Sequence, residues 1–191
     1  MEREALLSGL VHPGDRAPAP GGLRLVQAFV NSVDAEHGPD LFDDAAGLSD
    51  WLARNGMAAD VRPGDPAAAR EVREALRALL HHNNGAPREP VVDAVLDAAA
   101  RRARLEPAFG PGELVPRAGG VDAAIGHVLA AAFAAILDGR WPRLKACPRE
   151  LCGWAFYDRS SNASATWCSM RVCGGREKAG AYYRRRRAAR R

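Results

Sequence analysis

No span of this 191-residue chain reaches the roughly 20 consecutive apolar residues that a membrane helix needs. The nearest candidate, 121–137, is interrupted by Asp122 and His127 and reads as a buried core helix. The first residues carry Glu2 and Glu4 in place of an apolar export segment, so a cytoplasmic protein with no membrane partner is expected. Catalytic signatures are lacking too. There is no glycine-rich phosphate loop after a strand, no His-Glu-x-x-His and no recognisable pair of catalytic carboxylates. No serine or cysteine nucleophile is paired with a histidine in a motif, so no catalytic residue and no enzyme is expected. His81 and His82 are adjacent and cannot share a helix face, which makes them surface histidines; His127 is expected as a hydrogen-bonded core residue. Internal repeats are absent.

Cysteine is scarce, and its four copies are confined to one stretch, Cys147-x4-Cys152-x15-Cys168-x4-Cys173. That is metal-ligand spacing. A short spacer lets one turn aim two sulfurs at a single point, and the longer connector brings the second pair back to it. The competing reading is a pair of disulfides, for which four cysteines allow three pairings. Disulfide frameworks belong to small secreted chains, and nothing else here fits one. One structural Zn2+ held by Cys147, Cys152, Cys168 and Cys173 is therefore expected. Four thiolates leave no open coordination position for catalysis. Trp154, Phe156, Tyr157 and Trp167 lie near the cysteines, and most of them are expected to form the miniature core of this module, with one available to stack on a base.

The net charge of +4 conceals an asymmetry. From Arg140 onward there are 14 basic and 3 acidic residues, against 13 basic and 20 acidic in the remainder. A basic module beside an acidic one implies a polyanion partner for the first, unless the second folds over and masks it. The basic charge concentrates after the cysteines: Arg171, Arg176, Lys178, Arg184, Arg185, Arg186 and Arg187 are the candidate nucleic-acid contacts. Tyr182 and Tyr183 are neighbours on the same expected helix. They should point to different sides, one packing on the zinc module.

Ahead of the zinc module the pattern is helical. Residues 1–22 hold Pro13, Pro18, Pro20 and Gly21-Gly22 and read as a mobile lead-in. Apolar residues at helical spacing then predict helices from Leu23, over about 48–55, from Pro66, from Pro90 and over 121–137. The Pro/Gly-rich stretch 105–117 reads as a hairpin or an irregular arm, and 154–157 as a strand. The expected class is mainly α with a small β component. A helical domain over 23–139 is followed by a four-cysteine zinc finger over 140–191, of treble-clef-like fold.

The run Cys147, Cys152-Gly153-Trp154, Phe156, Asp158, Ser160, then Trp167-Cys168-Ser169-Met170, Cys173-Gly174, Arg176 and Lys178 resembles the CGNR zinc finger. The segment Leu23-x-Leu25-x-x-x-Phe29-x-Asn31-Ser32-Val33 is similar to the start of the stress-induced transcription regulator domain that usually precedes that finger. Two departures stand out: Gly175 replaces the usual Asn, and the connector 161–166 carries no arginine, which removes candidate phosphate contacts. The resemblance implies a DNA-binding transcription regulator of the stress response. The other reading is an RNA-binding or protein-interaction module stapled by zinc. Duplex DNA is the expected partner of the finger, and a small-molecule or protein signal, or a second copy of the chain, that of the helical domain.

Overall fold

The order of elements follows from apolar stripes closed by caps. The computed structural model describes residues 16–36 and 38–188, without the side chains of Ala181, Arg184 and Ala188. Helix α1 (Leu23–Val30) turns Leu23, Val26, Phe29 and Val30 inward. Helix α2 (Ala45–Arg54) starts about three residues before the predicted position. Its cap is Asp44, whose carboxylate accepts the Gly47 N–H at 2.8 Å. Helix α3 (Asp65–His82) opens on Pro66 and buries Val72, Leu76, Leu79 and Leu80; α4 (Pro90–Ala103) ends where Arg104 takes a left-handed conformation, φ 51°. The stretch after it is a true hairpin, β1 (Leu105–Ala108) pairing antiparallel with β2 (Glu113–Pro116).

Helix α5 (Gly120–Leu137) packs against α1, α4 and β2. Gly126 permits that approach, since a Cβ there would lie 2.7 Å from the Pro116 Cβ and 2.9 Å from the Ala103 Cβ. Its burial is one-sided, however. Phe133, Ile136 and Leu137 are solvent-facing, and His127, expected in the core, is exposed as well. An apolar circumference does not by itself decide which side the neighbours cover.

Beyond α5, β3 (Leu144–Ala146) pairs antiparallel with β4 (Ala155–Tyr157). This ribbon separates two cores, because alternate side chains of a strand point to opposite faces. Leu144, Ala146, Ala155 and Tyr157 join the helical core, which is built around the ring cluster Phe29, Phe42 and Trp51 with centroids 5.3–5.5 Å apart. Phe156 points the other way, into a second cluster with Trp154 and the four cysteines. The helical core thus continues past 139/140, taking in Leu144, Ala146, Ala155 and Tyr157 from the finger.

The lead-in also differs from expectation where it is described; residues 1–15 lie outside the described part. Arg16 donates to the carbonyls of Trp167 and Cys168 and stacks over Phe156, 4.7 Å from the ring centroid. Ala19 is buried, and its N–H donates to the Gln27 Oε1. Residues 16–22 are held by these contacts despite their prolines and glycines.

Candidate metal centre and basic helix

Two turns deliver the cysteines. The first follows β3: the Cys147 N–H donates to the Trp154 carbonyl at 2.9 Å and the Cys152 N–H to the Arg149 carbonyl at 2.8 Å, with Gly153 at φ +56° permitting the bend. The second is a π-helical turn, Met170–Gly174, capped by the Ser169 hydroxyl on the Val172 N–H, that runs directly into α6 (Gly175–Ala188). Gly175 sits at φ −64°, ψ −46°, in ordinary helical conformation, so the departure from Asn strains nothing.

The four sulfurs lie within 4.8 Å of one another, and all four residues are buried. Cys152 and Cys168 sulfurs are 3.6 Å apart and those of Cys168 and Cys173 3.5 Å. A disulfide would require about 2.05 Å. A tetrahedron with zinc–sulfur bonds of about 2.3 Å has edges of about 3.8 Å, which matches the observed spacing. The ionisation of the thiols points the same way. Hydrogen bonds from Cys152 and Cys168 lower the Cys147 thiol to about 2, and Cys147 in turn raises Cys152 to about 12 and pushes Cys168 up. Cys147, Cys152 and Cys168 carry their charges together only around a cation. The donor set fits one structural zinc, closed on all four sides.

The connector between the pairs is organised by a buried carboxylate. Asp158 accepts from the Lys145 Nζ at 2.9 Å, the Ser160 hydroxyl at 2.6 Å and the Ala165 N–H at 2.8 Å. Burial opposes its ionisation, but the Ser160 hydroxyl, the Lys145 ammonium and the backbone N–H groups hold it down at about 2. Lys145 also donates to the Ala163 carbonyl at 2.6 Å and the Ala165 carbonyl at 3.1 Å.

The family model described as "Putative stress-induced transcription regulator" matches residues 23–140, more than half of the chain. The chain belongs to this family. The CGNR zinc finger model matches residues 143–186, and the finger so marked contains all four cysteines. No curated protein matches the chain.

In this regulator-family chain the finger is gripped by side chains of the helical domain, of which Asn31 stood in the sequence motif and the others did not. Asn31 clamps Ala155 by accepting its N–H at 2.7 Å and donating to its carbonyl at 2.9 Å; Gln27 donates to the same carbonyl at 3.1 Å. Arg77 on α3 donates to the Gly153 carbonyl, and in the turn that follows the helix Asn83 donates to those of Trp141 and Leu144 and Asn84 to those of Ala146 and Thr166. Glu36 pairs with Arg149, whose side chain is 10 % exposed, and with Arg176 at 2.6 Å. Arg149 also meets the Cys173 sulfur.

The basic candidates are distributed along one element rather than gathered in a pocket. Arg171 lies exposed on the π-helical turn, Arg176 and Lys178 near the start of α6, and Arg185, Arg186 and Arg187 exposed in its last turn. Arg184 is in α6, but its side chain lies outside the described residues. Tyr182 and Tyr183 are both exposed and contact each other, with ring centroids 5.7 Å apart. Neither packs on the zinc cluster as expected, because α6 projects outward from the knuckle. Of the expected miniature core, Trp154 and Phe156 are buried with the cysteines, Trp167 packs beside them, and Tyr157 belongs to the helical core.

Proposed function

We propose that this regulator binds duplex DNA through α6 and acts in the cytoplasm, with zinc supplying structure and no catalysis. What supports the reading is one arrangement: a zinc ligand, Cys173, fixes the start of a helix whose exposed side chains are predominantly basic. Four consecutive arginines, Arg184 to Arg187, step about 100° each around the helix. They surround it, which suits phosphate neutralisation better than the reading of base edges. Lys178 and Arg171, close to the metal, are the candidates for a fixed register. Arg176 would have to exchange Glu36 for a phosphate. A signal for the helical domain would have room in the open cleft of about 1030 Å³ between the end of α2 and the start of α5, which Arg62, Arg104 and His127 help line.

The test is binding to duplex DNA, structured RNA and single strands at matched salt. If about five phosphates are contacted, the slope of log affinity against log salt for duplex DNA is roughly −4 to −5. Replacing Arg184 to Arg187 by alanine flattens it by up to about one unit per lost contact and weakens all sequences alike. Lys178→Ala instead changes the ranking of sequences. A quadruple variant that keeps its full slope, or a clear preference for structured RNA, overturns the reading.

A further inference from the structure

The outer side of α5 and the tip of the β1–β2 hairpin form an apolar face that the zinc module and the helical core do not use. Phe109, at the hairpin tip, is 94 % exposed; Leu137 is 74 % exposed, Ile136 48 % and Phe133 46 %. At about 150–250 Å² per large side chain these four leave about 500 Å² bare, near the upper end of the patch size that a typical monomer tolerates. A hollow of about 280 Å³ lies between the hairpin and α5, with the Phe109 ring as one wall and Leu114, Phe133 and Leu137 as the others, so a partner's ring entering it would stack beside this one.

From this juxtaposition we infer that the chain forms a homodimer in which Phe109 of each copy enters the α5–hairpin hollow of the other. One chain carries both the knob and the socket, side by side, which is the requirement for a two-fold, self-complementary joint. The knob is held ready. The Gly112 N–H donates to the Ala108 carbonyl at 2.9 Å and Gly112 turns at φ +69°, so the hairpin presents the ring with little left to order on docking. The four side chains of two copies supply about 1,000 Å², and the flanking Pro107, Leu114 and Ala130 carry the total toward the 1,200–2,000 Å² of a stable interface. Its rim is polar, with Glu113 on the hollow and the Asp138–Arg140 ion pair at the end of α5. The Glu113 carboxylate on the hollow disfavours an anionic lipid surface as the occupant.

Sedimentation velocity of the full zinc-loaded chain, from about 1 to 100 μM, tests this independently of any nucleic acid. The expected result is a dimer whose dissociation constant rises about thirtyfold or more in Phe109→Asp and in Leu137→Asp, as for a central aromatic or aliphatic anchor. Val91→Asp, at a residue 65 % exposed outside this face, leaves it unchanged. Because Phe109 is almost wholly solvent-facing, its replacement leaves the circular dichroism spectrum intact. A chain that is monomeric throughout overturns the inference, as does a dimer equally strong in both variants. So does a monomer that floats with phosphatidylcholine vesicles, which would assign the face to lipid.

Discussion

Asp158 and Lys145 form a buried pair, their side chains 0 % and 7 % exposed, and removing one partner strands the other. Asp158→Asn is therefore expected to cost about 3 kcal/mol at pH 7, measured by urea denaturation. The pH dependence has a definite sign. The folded carboxyl titrates at about 2 against an ordinary 3.8, so its contribution is complete above about pH 4 and is lost as pH falls toward 2. The stability gap between the wild-type chain and the variant should then narrow by about 2 kcal/mol below pH 4. A gap independent of pH would show that the pair is not what the variant breaks. Two glycines of the finger should behave oppositely. Gly175 is helical, and an added Cβ would meet only the Met170 carbonyl at 3.6 Å, so Gly175→Ala should stabilise by about 0.5–1 kcal/mol. Gly153 lies at φ +56° with the Arg77 side chain 3.3 Å from a built Cβ, so Gly153→Ala should destabilise; thermal unfolding of both variants at one zinc concentration reads the contrast.

Helix α5 is held between α4 and β2 at the single point where Gly126 has no Cβ. Gly126→Ala would gain helix propensity but press on backbone-bound carbons of Pro116 and Ala103, so overpacking dominates and a net loss of about 1–3 kcal/mol is expected. A variant as stable as the parent in urea would mean that the hairpin can shift. The same element marks how far the sequence could be read. The 3.6-residue periodicity and the Pro and Gly boundaries located α1, α3, α4 and α5 within a residue or so of their starts. The start of α2 moved because the capping carboxylate, Asp44, lies outside the apolar pattern. Strand β3 is Leu-Lys-Ala, which carries no strand signature and exists because β4 pairs with it. Cysteine spacing foretold the zinc cluster, since its ligands are close in sequence. Glu36 could not be foreseen, as its partners Arg149 and Arg176 are 113 and 140 residues away. The exposure of His127 and the ring contact of Tyr182 with Tyr183 depend likewise on which neighbours arrive, and sequence spacing does not contain that.

At the scale of the whole molecule, the ribbon β3–β4 makes metal binding and helical packing parts of one equilibrium. Phe156 faces the cysteines, while Ala155 and Tyr157, its neighbours on the same strand, are in the helical core. Gln27 in α1 and Asn31 at its C-terminal cap are buried; both amide groups of Asn31 bond the Ala155 backbone, and the Gln27 NH2 donates to the Ala155 carbonyl. If zinc is removed, four buried sulfurs lose the cation that allows them to ionise together, and the knuckles that position β4 lose their support. Displacing β4 would then leave the Asn31 amide and the Gln27 NH2 without these partners in the interior, at about 1–3 kcal/mol for each stranded group. Chelation at pH 7, and equally Cys168→Ala, should therefore weaken α1 and α3 along with the finger. Hydrogen exchange is the suitable measurement because it reports each helix separately. The expected outcome is a loss of protection in α1, α3, β3 and β4 on chelation, with α4 affected less, since it lies on the far side of α3 and α5 from the ribbon. If protection falls only beyond residue 140 while α1 and α3 stay as they were, the finger is a separable module. The side-chain clamps of Gln27, Asn31, Asn83 and Asn84 would then position it without sharing its stability.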